Sequence, residues 1–203
     1  MKKLSLILVV ILFSIKLNAQ DFESIKTAFS KSYEYEKTAE YANAIEELKK
    51  VYDEQSYELN IRIAWLSYMS GLFTESIAFY QKAIALMPYS IEARLGVVYP
   101  MSALGNWNQV ITQYDKILEL DPANATANYR LGMIYYGKAE YEKSLNYFQK
   151  NVNFYPFTYD SLIMLAWCNF KLGKTREAKI LFNKSLMYNP DDSSAKEGLS
   201  LIK

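Results

Sequence analysis

The sequence predicts an all-α fold made of repeated helical units, and three regularities of the chain support this prediction. Prolines recur at an interval of 34 residues, at Pro88, Pro122, Pro156 and Pro190. Small residues and aromatic residues recur at the same interval, in the columns Gly71, Gly105, Ala139, Gly173 and Tyr80, Tyr114, Phe148, Phe182. Because a proline cannot continue a helix and a glycine commonly ends one, each period contains helical segments divided by a turn.

The first 19 residues have the pattern of a secretory signal peptide. Two lysines precede an apolar run from Leu4 to Ile15, which is short for a membrane span, and Ala19 precedes the predicted cleavage site. No cysteine follows the run, so a lipid anchor is not expected. We expect residues 1–19 to be removed, leaving an exported protein, periplasmic or secreted, without an integral membrane segment. An uncleaved anchor is the alternative for this segment.

The period divides the rest of the chain into four regular units and two flanking segments. The regular units are 57–90, 91–124, 125–158 and 159–192. A degraded unit is predicted at 20–56, because YANAIEELKKV at 41–51 repeats the pattern of YEKSLNYFQKN at 141–151. Residues 193–203 are predicted to form a C-terminal capping helix, because three apolar residues lie on one helical face: Ala195, Leu199 and Ile202.

Residue usage excludes most catalytic chemistry. The chain has no histidine, so its only cysteine, Cys168, lacks the usual base partner of a nucleophilic thiol. No glycine-rich phosphate loop occurs. Neighbouring carboxylates such as Glu46 and Glu47 belong to a solvated helix face. We therefore predict that the protein is not an enzyme and has no catalytic residues, no cofactor and no metal site.

The charge balance gives no support for a nucleic-acid partner. Removal of the three lysines in the signal segment leaves 20 of the 23 basic residues against 22 acidic ones, a net charge of −2. Proteins that bind nucleic acid usually carry a basic excess.

The 34-residue period and its columns resemble the tetratricopeptide repeat, a pair of antiparallel helices. The resemblance covers residues 57–192 and implies a right-handed α-solenoid of about five helix pairs plus the capping helix. In such solenoids the first helix of each pair lines a concave groove that binds partners. The resemblance thus implies an interaction module or scaffold with a protein or peptide partner.

Positions 5, 9 and 12 of each first helix follow the spacing of one helical face and are predicted to line the groove. These positions are strongly apolar and aromatic: Ile61, Trp65, Tyr68, Leu95, Tyr99, Tyr129, Met133, Tyr136, Ile163, Trp167 and Phe170. Family members that grip an acidic peptide C-terminus carry Lys and Asn where Ile61 and Trp65 stand here, so that clamp is missing. Arg62 and Arg130 are the candidate anion contacts, or else exposed charges without a partner.

Two interpretations of the aromatic columns stay open at this point. The rings either fill gaps between helices as core, or form an open interaction patch that binds an apolar or aromatic peptide segment or a partner helix. An alternative function is a structural subunit of a cell-envelope assembly, its groove filled by a fixed partner or a second copy. A glycan binder ranks third, because the groove offers few polar groups. Partner identity and oligomeric state are left open.

Pro100 is the least regular residue of the pattern, because it falls inside a predicted first helix. Its ring removes a donor and presses on the preceding turn, and Gly96 stands where that turn would relax. We predict a helix kink at Gly96 and Pro100 that re-aims the groove beside Tyr99.

Overall fold

The computed structural model describes residues 22–202, and this part of the chain contains helices and no strand. The all-α class of paired helices is thereby confirmed. The helices are α1 (22–37), α2 (Tyr41–Lys49), α3 (Tyr57–Met69), α4 (Phe73–Leu86), α5 (Ile91–Ala103), α6 (Trp107–Leu120), α7 (Ala125–Gly137), α8 (Tyr141–Phe154), α9 (Tyr159–Lys171), α10 (Thr175–Tyr188) and α11 (Ser193–Leu201). The signal-peptide prediction for residues 1–19 lies outside the described residues.

The small-residue column forms the turns within the helix pairs. Gly71, Gly105 and Gly173 have φ angles of 79°, 72° and 73°, in the left-handed region. Ala139 takes the same conformation with φ at 58°, where its Cβ is strained. The repeated glycine therefore has a backbone cause, which is the sharp reversal between two antiparallel helices.

Side-chain caps begin several of the first helices. Ser56, Ser90 and Asn124 each accept a hydrogen bond from the amide three residues later, at 3.2, 3.0 and 3.0 Å. Asp192 does the same for α11, accepting from Ala195 N at 2.6 Å. Each cap satisfies an amide that has no partner within the helix, which fixes where the helix begins.

The described chain divides into two compact units, the first ending at Trp107 and the second starting at Asn108. In the first unit, α3 packs against α2, α4 and α5. Its core joins α2 and α3 through fully buried aliphatic side chains, among them Leu48, Leu59, Ile63 and Leu66.

In the second unit, α8 lies between α7 and α9, while α11 packs against both α9 and α10. One core cluster contains Phe148, Leu162 and Leu165, and another joins Ala166 and Phe182 to Ala195 of α11. No helix among residues 22–202 is long and apolar enough to span a membrane.

Pro100 lies inside α5, which continues through it, and the proline is buried. The structure shows a second reason for glycine at position 96, independent of the proline. A Cβ at this position would overlap the ring of Tyr80 from α4. A Cβ at Gly132 would likewise overlap the ring of Phe148, and one at Gly198 would overlap the ring of Phe182. Three of the four residues in the aromatic column, Tyr80, Phe148 and Phe182, are thus packed against glycine backbone. The predicted kink stays a prediction.

Candidate functional site

The residues predicted for the groove lie on the first helices of both units, and each unit has its own aromatic surface. We call the first the unit-1 aromatic face, formed by Trp65, Tyr68 and Tyr99. We call the second the unit-2 cleft, lined by Tyr136, Tyr159, Ile163, Met164, Trp167, Lys171 and Ser194.

The unit-1 aromatic face is a set of three rings in mutual contact. Tyr68 lies 5.6 Å from Tyr99 and 5.8 Å from Trp65, measured between ring centroids, and Trp65 lies 6.4 Å from Tyr99. Tyr99 is 49% exposed, whereas Trp65 and Tyr68 are half-buried. The flanking Ile61 and Leu95 are also half-buried. The face is therefore partly open, and Tyr99 is its most accessible ring.

Arg62 does not take the role predicted for it. Its side chain is buried, with only 7% of the residue exposed, and its Nη1 lies 2.7 Å from Glu36 Oε2. Its Nε donates to Ser32 Oγ at 3.1 Å, and the guanidinium lies over the ring of Tyr33 at 3.9 Å. Arg62 thus forms an internal ion pair that connects α3 to α1. Because burying an unpaired charge costs free energy, the Glu36 carboxylate stabilises the guanidinium where α1 covers it.

Trp65 contributes to the same contact between helices. Its indole Nε1 donates to Glu36 Oε1 at 2.6 Å, so one carboxylate accepts from both Arg62 and Trp65. Trp65 therefore fits both interpretations of the aromatic columns, packing between helices and an open interaction patch. One edge of its indole contacts α1, and the rest lies on the partly open face.

The unit-2 cleft is an opening of about 340 Å³ in the second unit. Ile163 is buried, whereas Tyr136, Met164 and Trp167 are half-buried and form mostly apolar walls. Trp167 packs edge-on against Phe182 at 5.1 Å and Phe170 at 5.6 Å. These contacts hold the indole rigidly at the wall of the cleft.

The polar side of the cleft comes from α9 and α11. Trp167 Nε1 donates to Ser194 Oγ at 2.8 Å, which leaves the Ser194 hydroxyl proton for another acceptor. Lys171 is exposed, and no carboxylate of the described residues forms an ion pair with it. Burial raises the pKa of the Tyr136 hydroxyl, which remains protonated and able to donate at neutral pH.

The remaining predicted residues of the second unit differ in accessibility. Tyr129 is half-buried and contacts Phe148 edge-on at 5.8 Å. Met133 is 38% exposed, and Phe170 is half-buried against Trp167. Arg130 is exposed and has no ion pair within residues 22–202, so it keeps its candidacy as an anion contact.

Sequence reasoning missed four residues of the unit-2 cleft, namely Tyr159, Met164, Lys171 and Ser194. Lys171 follows Trp167 by four positions, so helical spacing alone was a usable signal. Ser194 was not predictable in this way, because it reaches the cleft through the packing of α11 against α9.

Exposed aromatic residues between repeats were also missed. Tyr89 and Phe157 occupy the same position of two repeats and are 81% and 79% exposed. They lie in the loops before α5 and α9, outside the groove positions.

The described residues contain no group of acidic, cysteine or histidine side chains arranged to hold a metal ion. Cys168 is fully buried, and burial raises the pKa of its thiol to about 11. Its Sγ lies 3.1 Å from Ser144 Oγ. A buried thiol that stays protonated at neutral pH is a packing residue.

Known proteins resemble this chain in sequence and in fold. A family model for the tetratricopeptide repeat matches residues 125–156 and 159–192. The TPR repeat-containing protein YpiA of Bacillus subtilis (strain 168) is 25% identical over 154 residues, covering 74% of this chain and 36% of that protein. The chain therefore spans little more than a third of the length of this relative.

Solved structures share the fold over most of the chain. A tetratricopeptide repeat protein from Parabacteroides merdae ATCC 43184 has a TM-score of 0.75 at 20% identity, covering 88% of this chain and 72% of that one. The MamA protein has a TM-score of 0.71 at 21% identity, covering 89% and 99%. Residues 125–156 and 159–192 are thus matched as tetratricopeptide repeats, and the solved structures share the fold over most of the chain.

Proposed function

We propose that this protein is a non-enzymatic interaction module that binds an apolar or aromatic segment of a protein partner on its first-helix surfaces. The tetratricopeptide-repeat fold supports a role as a protein–protein interaction scaffold. The observation that carries the finer proposal is the unit-1 aromatic face, where Tyr99 is half in solvent although it contacts two other rings. Tyrosine and tryptophan on such surfaces are the side chains that most often dominate binding energy.

Two of the polar groups that a glycan would need in the groove are already occupied. Arg62 is paired with Glu36, and Asn169 is buried and donates to Leu165 O at 2.9 Å. Sugar recognition depends on dense hydrogen bonding, so the arrangement favours a protein ligand over a glycan.

Site-specific photocrosslinking in the native host tests the proposal. A photoreactive amino acid is placed at Tyr99, and in a second variant at Tyr136. The matched control places it at Lys179, which is exposed on α10 and outside both surfaces. We expect a protein to be captured from the two groove positions and not from Lys179.

Binding of the captured protein to the purified chain completes the test. We expect Tyr99→Ala to weaken this binding at least about tenfold, in the range of an interface hot spot, while the melting temperature changes little. Equal capture from Lys179, or unchanged affinity of Tyr99→Ala, would contradict the proposal for the unit-1 aromatic face.

We further propose that the protein is exported, on the strength of the sequence pattern in residues 1–19 alone. Mass spectrometry of the protein from its host tests this. A mature N-terminus at Gln20 supports export by a cleaved signal peptide, and a retained first segment contradicts it.

A further inference from the structure

We propose that the unit-2 cleft binds a peptide segment in which an apolar side chain, ideally aromatic, is followed closely by a carboxylate. The inference rests on the proposed function, since it assigns the chemistry of the peptide bound at one of the two surfaces. The cleft supplies an apolar recess and a cation at one end of it, and such a ligand satisfies both.

The recess of the unit-2 cleft has a mostly apolar lining. Ile163, Met164 and Trp167 present hydrocarbon and the indole ring to an opening of about 340 Å³. The Trp167 ring is fixed by Phe182 and by its hydrogen bond to Ser194, so it is already in position for stacking. A preformed aromatic wall costs little entropy to use, which favours a planar or aliphatic side chain as its occupant.

Three polar groups at the cleft, Lys171, Ser194 and Tyr136, are hydrogen-bond donors for which no acceptor is found among residues 22–202. Lys171 carries a positive charge that no carboxylate of residues 22–202 neutralises by an ion pair. The Ser194 hydroxyl accepts from Trp167 through one of its two lone pairs and retains its proton to donate, and Tyr136 supplies a further hydroxyl. Donors with one net positive charge are complementary to a carboxylate.

Among the described residues, no acidic side chain lines the cleft, and the two carboxylates that act on one of its residues act on Tyr159. Asp192 already accepts from Ala195 N, and it also hydrogen-bonds the Tyr159 hydroxyl. Asp160 acts electrostatically on the same tyrosine. Tyr159 begins α9 and Lys171 ends it, which separates the two ends by about 18 Å along the helix axis. The peptide carboxylate is therefore directed to the Lys171 end, and this polarity sets the direction in which the peptide lies.

Indole NMR signals give a direct test with small probes. The chain contains three tryptophans, so the ¹⁵N-labelled full chain gives three indole signals, and Trp167→Phe assigns the one of interest. The probes are the capped dipeptides acetyl-Phe-Glu-amide, acetyl-Phe-Lys-amide and acetyl-Ala-Glu-amide. We expect saturable shifts of the Trp167 signal with Phe-Glu, and about fivefold weaker binding of Phe-Lys. Ala-Glu is expected to bind more weakly than either, because it leaves the recess empty.

Charge variants distinguish a local effect of Lys171 from an effect of the overall charge of the protein. Lys171→Gln is expected to bring Phe-Glu and Phe-Lys within about twofold of each other, whereas the matched control Lys179→Gln keeps the full preference. Equal binding of Phe-Glu and Phe-Lys to the unaltered chain overturns this inference and leaves the apolar proposal standing. A Trp167 signal that neither phenylalanine peptide moves overturns the inference and, for this surface, the proposed function as well.

Discussion

At the scale of single residues, Arg62 contacts three side chains of α1. It reaches from α3 to Glu36 and Ser32 of α1, and it lies against the ring of Tyr33. Its Nη2 is buried without a hydrogen-bond partner. A guanidinium in this position stabilises the docking of α1 only as long as its carboxylate partner is present.

Removing one member of the Arg62–Glu36 pair is expected to cost far more than removing both. Arg62→Leu leaves Glu36 with only the Trp65 indole and should lower the free energy of unfolding by about 2–4 kcal/mol. The double variant Arg62→Leu/Glu36→Leu should recover at least half of this loss. Urea unfolding measures both values, and the exposed pair Lys26–Glu23 provides the control, with little change expected. Additive losses in the double variant would contradict the role assigned to the pair.

The buried thiol of Cys168 predicts a dependence of stability on alkaline pH. Its pKa is raised by burial from 9.0 to about 11, so between these values the unfolded chain loses the proton and the folded chain keeps it. The folded state then binds more protons, and its stability falls as pH rises through this window. We expect Cys168→Ala to lose less stability than the unaltered chain between pH 9 and pH 11, as measured by urea unfolding. An equal loss of stability in Cys168→Ala and in the unaltered chain would assign the alkaline sensitivity to the tyrosines instead.

At the scale of secondary-structure elements, the approach of aromatic rings to glycine backbone sets how closely neighbouring helices pack. Tyr80 of α4 lies on Gly96 of α5, and Phe182 of α10 lies on Gly198 of α11. The prolines and the turn glycines determine where each helix ends. The helical glycines Gly96 and Gly198 instead determine how closely the neighbouring helix approaches.

Alanine substitutions at two helical glycines distinguish close approach from helix propensity. Gly96→Ala is expected to destabilise the chain by more than about 2 kcal/mol, because its Cβ meets the Tyr80 ring and overpacks the contact. Gly137→Ala, where a Cβ meets nothing within 4 Å, should be neutral or stabilising. Thermal unfolding compares the two variants. Similar behaviour of both would show that Tyr80 moves aside at little cost.

At the scale of the whole molecule, the sequence predicted the fold because the same pattern of residues recurs in each repeat. The period marks the turn residues and helix stops in each unit, and the described helices begin at Tyr57, Ile91, Ala125 and Tyr159 as the frame requires. Periodic patterns report local geometry well, since each position keeps the same place on its helix.

The surfaces were less predictable, because they depend on neighbours that are not periodic. Arg62 and Arg130 share one repeat position, yet α1 covers the first and the second is exposed. Similarly, Ser194 enters the unit-2 cleft only because α11 packs beside α9. The sequence of one chain predicts on which face of its helix a side chain lies, but it does not predict which helix packs against that face.

The hydrogen bond between Trp167 and Ser194 connects the proposed peptide site to α11. Helix α11 has nine residues and is held by Asp192 at its start and by Ala195 and Gly198 beneath the Phe182 ring. A helix of nine residues opens more readily than the core, and the fraction of molecules in which α11 is open lacks this wall. For the proposed peptide, the apparent affinity of the cleft is reduced by that fraction, and a partner that holds α11 in place raises occupancy without touching the peptide.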